Sequence, residues 1–188
     1  MRGNEIMKSN EAGFSYIDTL IGMTIMLVGL LALAGTIAAS VVRSRQQEQQ
    51  LIAKQYATST LESITSARDL KLAGVLNGLQ NGWDSIGNVG SNVVSGTARG
   101  VFLTGPQSVT TSPGTDQVIG TADDNGAVVT GLTRQIVITD VCDPERPSYN
   151  CSPAGTHPIM MRRIQVTIYY SAGRTQLSET VMTSLTKY

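Results

Sequence analysis

The first third of the chain is predicted to form one long helix. It contains an uncharged apolar run, no proline, and then apolar residues at helical spacing. Residues 19–42 contain no charged side chain, and no proline occurs in 14–72. At about 1.5 Å per residue, a helix over 19–42 spans the ~30 Å hydrocarbon core of a membrane. Beyond this span, small apolar residues recur at every third or fourth position, which predicts a helix face packed on a sheet. These residues are Ala53, Ala57, Leu61, Ile64 and Ala67.

The C-terminal third alternates apolar and polar residues with the period of a β-strand. Strands are predicted at 131–141, 160–170 and 175–185, with a turn at 171–174 that joins the last two as a hairpin. Residues 73–127 are rich in Gly, Asn, Ser and Thr and predict loops, with one or two short strands, for example near 100–103. The predicted fold class is α+β, with the amphipathic half of the helix 14–72 packed on an antiparallel sheet within 128–188 and its other half crossing the membrane.

A polar segment, residues 1–13, precedes the apolar run, which reverses the order of a secretory signal peptide. The sequence Gly13-Phe14-Ser15-Tyr16-Ile17-Asp18 follows directly. This order of glycine, phenylalanine and an acid one helical turn later resembles the N-terminal motif of type IV prepilins. Hydrophobicity alone leaves an uncleaved signal anchor as the alternative.

The resemblance implies a role for each of three residues. Prepilin peptidase would cleave after Gly13, and the new N-terminus on Phe14 would be N-methylated. Asp18 would pair with the Phe14 amine of a neighbouring subunit, although prepilins usually carry glutamate there. A carboxylate at the start of a membrane helix is costly unless it is paired, which supports this role. The alternative is an acid stabilised only by the positive end of its own helix dipole.

The family resemblance also implies a function and a location. It predicts a minor pilin of a type IV pilus, with a single membrane span, a periplasmic head and final placement in the filament at the cell surface. The implied partners are other pilin subunits, prepilin peptidase, the inner-membrane assembly platform and membrane lipid before assembly. A pseudopilin of a type II secretion system and a signal-anchored periplasmic binding module are the alternatives.

Charge and candidate chemistry narrow the function classes. The chain carries 14 basic and 14 acidic residues, so it lacks the basic surface expected of a protein that binds nucleic acid. The only histidine is His157, and no catalytic triad, phosphate-binding loop or metal-ligand cluster is present. The protein is therefore not expected to be an enzyme. Trp83 is predicted to be a partly buried anchor of the head, with an exposed aromatic in an adhesive tip as the alternative.

Cys142 and Cys151 are the only cysteines, and they lie close together in a proline-rich segment. Such a pair predicts one disulfide in an oxidising compartment, with two free thiols as the alternative. A zinc site would lack ligands even if His157 joined the two cysteines.

The segment 114–124 concentrates three carboxylates, Asp116, Asp123 and Asp124, among glycines. Calcium prefers hard oxygen ligands of this kind, and the end of the segment resembles calcium loops of bacterial surface proteins. The spacing does not match an EF-hand, and a solvated turn is the alternative. Calcium is the one cofactor candidate, and the sequence indicates no cofactor that the protein requires.

Overall fold

The computed structural model describes residues 15–69, 82–94, 96–142, 159–173 and 175–187 of the 188-residue chain. A long helix, α1 (Tyr16–Asp69), is followed by a short helix, α2 (Gly82–Ser85). The described strands are β1 (Val93–Val94), β2 (Thr97–Ala98), β3 (Gln107–Ser112), β4 (Asn125–Asp140), β5 (Met161–Ala172) and β6 (Thr175–Thr186). The chain divides into two compact units between Ser44 and Arg45.

The N-terminal unit holds the apolar part of α1, and every described residue in it is exposed. Its hydroxyl groups are satisfied locally, because Thr24 donates to Leu20 O and Thr36 donates to Leu33 O, both at 2.8 Å. Internal hydrogen bonding of this kind suits a helix surrounded by hydrocarbon. Of the helices that the structure describes, α1 alone is long and apolar enough to cross a membrane, as a single-pass anchor would require.

The C-terminal unit contains a four-stranded antiparallel sheet in the order β3-β4-β5-β6. Ile136 of β4 lies opposite Val166 of β5, which lies opposite Val181 of β6, so all three share one face. Burial of this face fixes the strand register, because a slip by one residue would turn its apolar side chains to solvent. The α+β class and the three C-terminal strands predicted from the sequence are confirmed.

Short strands lie within 73–127, as expected from the sequence, but the position suggested for one near 100–103 is wrong. Phe102 forms only an isolated bridge with Asn88, and the longest strand of this segment is β3, from Gln107 to Ser112. This strand contains one apolar residue, Val109, so it lacks the alternation that identifies a strand in sequence. Pairing with β3 also accounts for the early start of β4 at Asn125, since Ser112 lies opposite Asn125.

The core lies between the second half of α1 and the sheet. The helix contributes a buried stripe of mostly small side chains, which allows close approach of the helix to the sheet. From the sheet, Ile164 and Ile168 are fully buried, and each such side chain contributes about 1.5–3 kcal/mol. The buried helix residues are Ala53, Ala57, Thr60, Ile64 and Ala67. Leu61 packs against this cluster while only partly buried.

Candidate functional site

The start of α1 is the first of two candidate sites. Asp18 lies in the first turn with an exposed side chain, and its backbone N–H donates to Ser15 O at 2.9 Å. Gly13 and Phe14 lie outside the described residues. The predicted contact between Asp18 and a neighbouring amine therefore stays a prediction, and Asp18 is placed where an approaching group can reach it.

The second candidate is the acidic loop, residues 114–124, which folds around the carboxylate of Asp123. Gly114 adopts a φ of +74°, and a β-carbon there would lie 2.3 Å from the carbonyl oxygen of Asp123. Only glycine fits this close approach. It brings the following residues over the Asp123 side chain, so the loop closes on its own carboxylate.

Four hydrogen bonds reach the carboxylate of Asp123. Its Oδ2 accepts from Thr115 N at 2.7 Å, from Thr115 Oγ1 at 2.9 Å and from Asp116 N at 3.1 Å. Its Oδ1 accepts from Thr121 Oγ1 at 2.7 Å. Burial alone would raise the pKa of Asp123, but these donors favour the charged form and lower its pKa to about 2. Asp123 is therefore a fixed negative charge.

Asp116 lies beside this charge in a more enclosed position, with 4% of the residue exposed. Its Oδ1 accepts from Val118 N at 2.8 Å, whereas its buried Oδ2 has no hydrogen-bond partner. Burial raises the pKa of Asp116, hydrogen bonds from Val118 N and the Thr121 hydroxyl oppose the rise, and the charge and hydrogen bonding of the Asp123 carboxylate add to it. One buried carboxylate oxygen is thus left without a donor.

Asp124 is engaged elsewhere, although it follows Asp123 directly. It accepts from Gly120 N at 3.0 Å and from the guanidinium of Arg134 at 2.5 Å. The side chains of this ion pair are 9% and 4% exposed. The structure therefore brings the carboxylates of Asp116 and Asp123 together, whereas the carboxylate of Asp124 is paired with Arg134. In the part of the chain that the structure describes, no group of three or more His, Cys, Asp or Glu side chains is placed to hold a metal ion.

The acidic loop is held against both α1 and the neighbouring loop. Ile119 N donates to Ser63 Oγ of α1 at 2.9 Å, and Leu103 N donates to Gly120 O at 3.0 Å. Val118, 1% exposed, belongs to the hydrophobic core. These anchors fix the positions of the loop carboxylates in advance of any ligand.

Trp83 is an anchor, as predicted, but it is buried more fully than the sequence suggested, with 4% of the residue exposed. Its indole N–H donates to Ile159 O at 3.0 Å, and the guanidinium of Arg162 lies 4.5 Å from the ring centroid. Arg162 also donates to Trp83 O and, at 3.0 Å, to Asp140 Oδ1. This cluster ties α2 to β4 and β5, which is a structural task.

Cys142, next to this cluster in the chain, is disulfide-bonded. Cys151, its predicted partner, lies outside the described residues, as does His157. That Cys151 is the cysteine bonded to Cys142 therefore stays a prediction from the sequence.

Two inward-facing arginines were missed at the level of sequence. Arg134 alternates with Ile136 and Ile138, and Arg162 alternates with Ile164, so each occupies a core-facing position of its strand. An arginine in such a position requires a buried acceptor, and this requirement is the signal that identifies it.

Comparison with known proteins assigns no family, since no family model, curated protein or solved structure matches the chain. Function therefore has to be inferred from the chain itself. Its two informative features are the exposed apolar helix with Asp18 at its start and the head that covers the other half of the same helix.

Proposed function

We propose that this protein is a minor pilin, an accessory subunit of a type IV pilus that is processed by prepilin peptidase and assembled through its N-terminal helix. The observation that carries the proposal is the difference in burial between the two halves of α1, a helix of 54 residues. Its first half exposes apolar side chains throughout, while its second half contributes a buried face to the head. The helix of a pilus subunit needs both properties. Its apolar half must leave the membrane and pack among the helices of other subunits, and its second half must hold the head.

The position of Asp18 supplies the electrostatic support. Processing after Gly13 would create a positive amine on Phe14, one helical turn before Asp18 and on the same helix face. Within a bundle of apolar helices, an unpaired carboxylate is costly, so Asp18 favours a neighbour that offers an amine. Pairing between subunits would set the axial register of the filament.

The head supports an accessory role rather than a catalytic one. The disulfide at Cys142 suits an oxidising compartment and so supports a head that lies outside the cytoplasm. The two most buried ion pairs of the described head, Asp124–Arg134 and Asp140–Arg162, hold its strands and loops together. A head of this kind is suited to decorating or capping a filament.

Mass spectrometry of the protein extracted from membranes tests the processing step. A mature chain that begins with N-methyl-Phe14 is the expected result. An intact leader would contradict the proposal and would leave a signal-anchored protein. Immunoblots of sheared pili then separate a pilus subunit, which copurifies with the filaments, from a secretion pseudopilin, which does not.

Two substitutions at one position test the registration mechanism. Asp18→Asn removes the charge while it keeps the size of the side chain, and Asp18→Glu keeps the charge. Removing one partner of a buried ion pair costs about 3–5 kcal/mol, so Asp18→Asn should lower incorporation into pili by about a hundredfold or more. Membrane insertion should be normal in both variants, and Asp18→Glu should assemble. Normal assembly of Asp18→Asn would refute the mechanism.

A further inference from the structure

Asp116 poses a charge problem that the described residues do not solve. Its Oδ2 is buried without a hydrogen-bond partner, and the neighbouring Asp123 is held in its charged form by four hydrogen bonds. Two carboxylates side by side in a partly buried position repel each other unless a positive charge or a proton lies between them. The fold keeps both, so a further group is required.

The donors of the acidic loop are already committed. Thr115 and Thr121 serve Asp123, and the amide of Gln117 donates to Gly114 O at 3.0 Å. Arg134, the cation closest in the fold to this loop's third acid, is paired with Asp124. A cation that completes Oδ2 of Asp116 therefore has to come from outside the chain.

We propose that the acidic loop binds one calcium ion through the carboxylates of Asp116 and Asp123, with Asp124 excluded because it belongs to Arg134. The remaining ligands would be hydroxyl and carbonyl oxygens of the loop and water, which calcium accepts in flexible geometry. Magnesium fits less well, since it demands a strict octahedron and retains most of its water. Zinc prefers nitrogen and sulfur ligands, which residues 114–124 do not contain.

A proton shared between the carboxylates of Asp116 and Asp123 is the competing solution, and three features favour a cation. The bond from Val118 N to Asp116 Oδ1 stabilises the charged form of Asp116. The half-buried side chain of Asp123 opens the pair to solvent on one side, which gives a cation access. The anchors at Ser63 and Leu103 keep the two carboxylates together without the ion, so binding has little ordering to pay for.

The full-length protein in detergent micelles, stripped with a chelator, provides the test. Titration with calcium chloride in a calorimeter should show one saturable site, with a Kd of about 10⁻⁴–10⁻³ M by analogy with extracellular calcium modules. At calcium about a hundredfold above Kd, the melting temperature of the head should rise by about 5–10 °C. The fluorescence of Trp83, the only tryptophan, reports this transition. Magnesium should bind at least about tenfold more weakly.

Asp116→Asn is the decisive variant because it keeps the acceptor for Val118 N and removes only the charge of the second oxygen. It should lose calcium affinity at least about tenfold and keep its fold, as judged by Trp83 emission. Glu62→Gln is the matched control, since it removes an exposed acid of the same compact unit and should bind calcium like the wild type.

The proposal fails if the wild type shows no saturable binding, a result that requires no variant to fold. It also fails if Asp116→Asn binds calcium as tightly as the wild type. A head that ignores calcium and melts at a higher temperature in mild acid would show that a proton completes Asp116 instead. None of these outcomes depends on whether the protein enters a pilus.

Discussion

Asn88 offers a sharp test of how the edge of the sheet is completed. Strand β3 pairs with β4 only as far as Arg134, which lies opposite Gln107. Beyond that point, the side chain of Asn88 takes the place of a strand. Its Nδ2 donates to Ile136 O at 2.9 Å, and its Oδ1 accepts from Ile138 N at 2.9 Å. The amide thus satisfies two backbone groups that would otherwise lack partners.

Asn88→Asp changes this contact with almost no change in shape. The new carboxylate can still accept from Ile138 N, but it faces the carbonyl oxygens of Ile136, Phe102 and Leu103 without a donor. The two longer contacts, from Nδ2 to Phe102 O and Leu103 O, are both 3.4 Å. One lost hydrogen bond at an unsatisfied acceptor costs about 1–3 kcal/mol, and the added charge raises the expected loss to about 2–4 kcal/mol.

Urea unfolding of the full-length protein in detergent, followed by Trp83 fluorescence, measures this loss. The carbonyls raise the pKa of the new carboxyl in the folded state above its unfolded value. The deficit is therefore full at neutral pH and shrinks as the pH falls through the folded pKa, because the protonated acid can donate to Ile136 O. Asn125→Asp, at an exposed position of β4, is the matched control and should change stability by less than about 0.5 kcal/mol. Equal urea midpoints for Asn88→Asp and the wild type, or a deficit that persists in acid, would refute the role of Asn88.

Three further predictions concern charged side chains of the C-terminal unit, with stability again measured by urea unfolding and Trp83 fluorescence. Asp124→Asn leaves Arg134 buried without its partner and should destabilise the head by about 3–5 kcal/mol. Arg162→Lys keeps the charge but loses the planar contact with Trp83, so we expect a loss of about 1–3 kcal/mol and a shifted tryptophan emission. The lowered pKa of Asp123 stabilises the calcium-free fold above the unfolded pKa, and this contribution is lost as the pH falls from about 4 toward 2. Asp123→Asn should therefore be less stable at neutral pH and less sensitive to acid over that interval.

The elements that the sequence predicts well are those with a long, one-sided pattern. The second half of α1 shows its buried residues at helical spacing, and β5 buries Ile164, Val166 and Ile168 at every second position. Each pattern repeats several times, so a single substitution or a boundary error cannot hide it. The apolar first half of α1 is predictable for a simpler reason, because an uncharged run over 19–42 has few alternatives to a helix.

The features that the sequence hides depend on partners far away along the chain. Strand β3 is mostly Ser and Thr, and it forms because β4 offers an edge to it. Asn88 acts on Ile136 and Ile138, about fifty positions later, and no local pattern marks a side chain that completes a strand. Sequence proximity grouped three aspartates in the acidic loop, whereas the inward-facing Arg134 withdraws Asp124 from the group.

Within the C-terminal unit, hydrogen bonds link the second half of α1 to the acidic loop and to the sheet. Ile119 N donates to Ser63 Oγ of α1, and Arg68 of the same helix reaches Thr186 O at the end of β6. The helix is thus tied to the loop and to the sheet edge by polar contacts on either side of the buried Ile64. Because the helix stripe consists mainly of alanines, it contributes little apolar area, and these polar ties carry a larger share of the attachment. An ion that stabilises the acidic loop would therefore strengthen the attachment of the second half of α1 to the rest of the C-terminal unit.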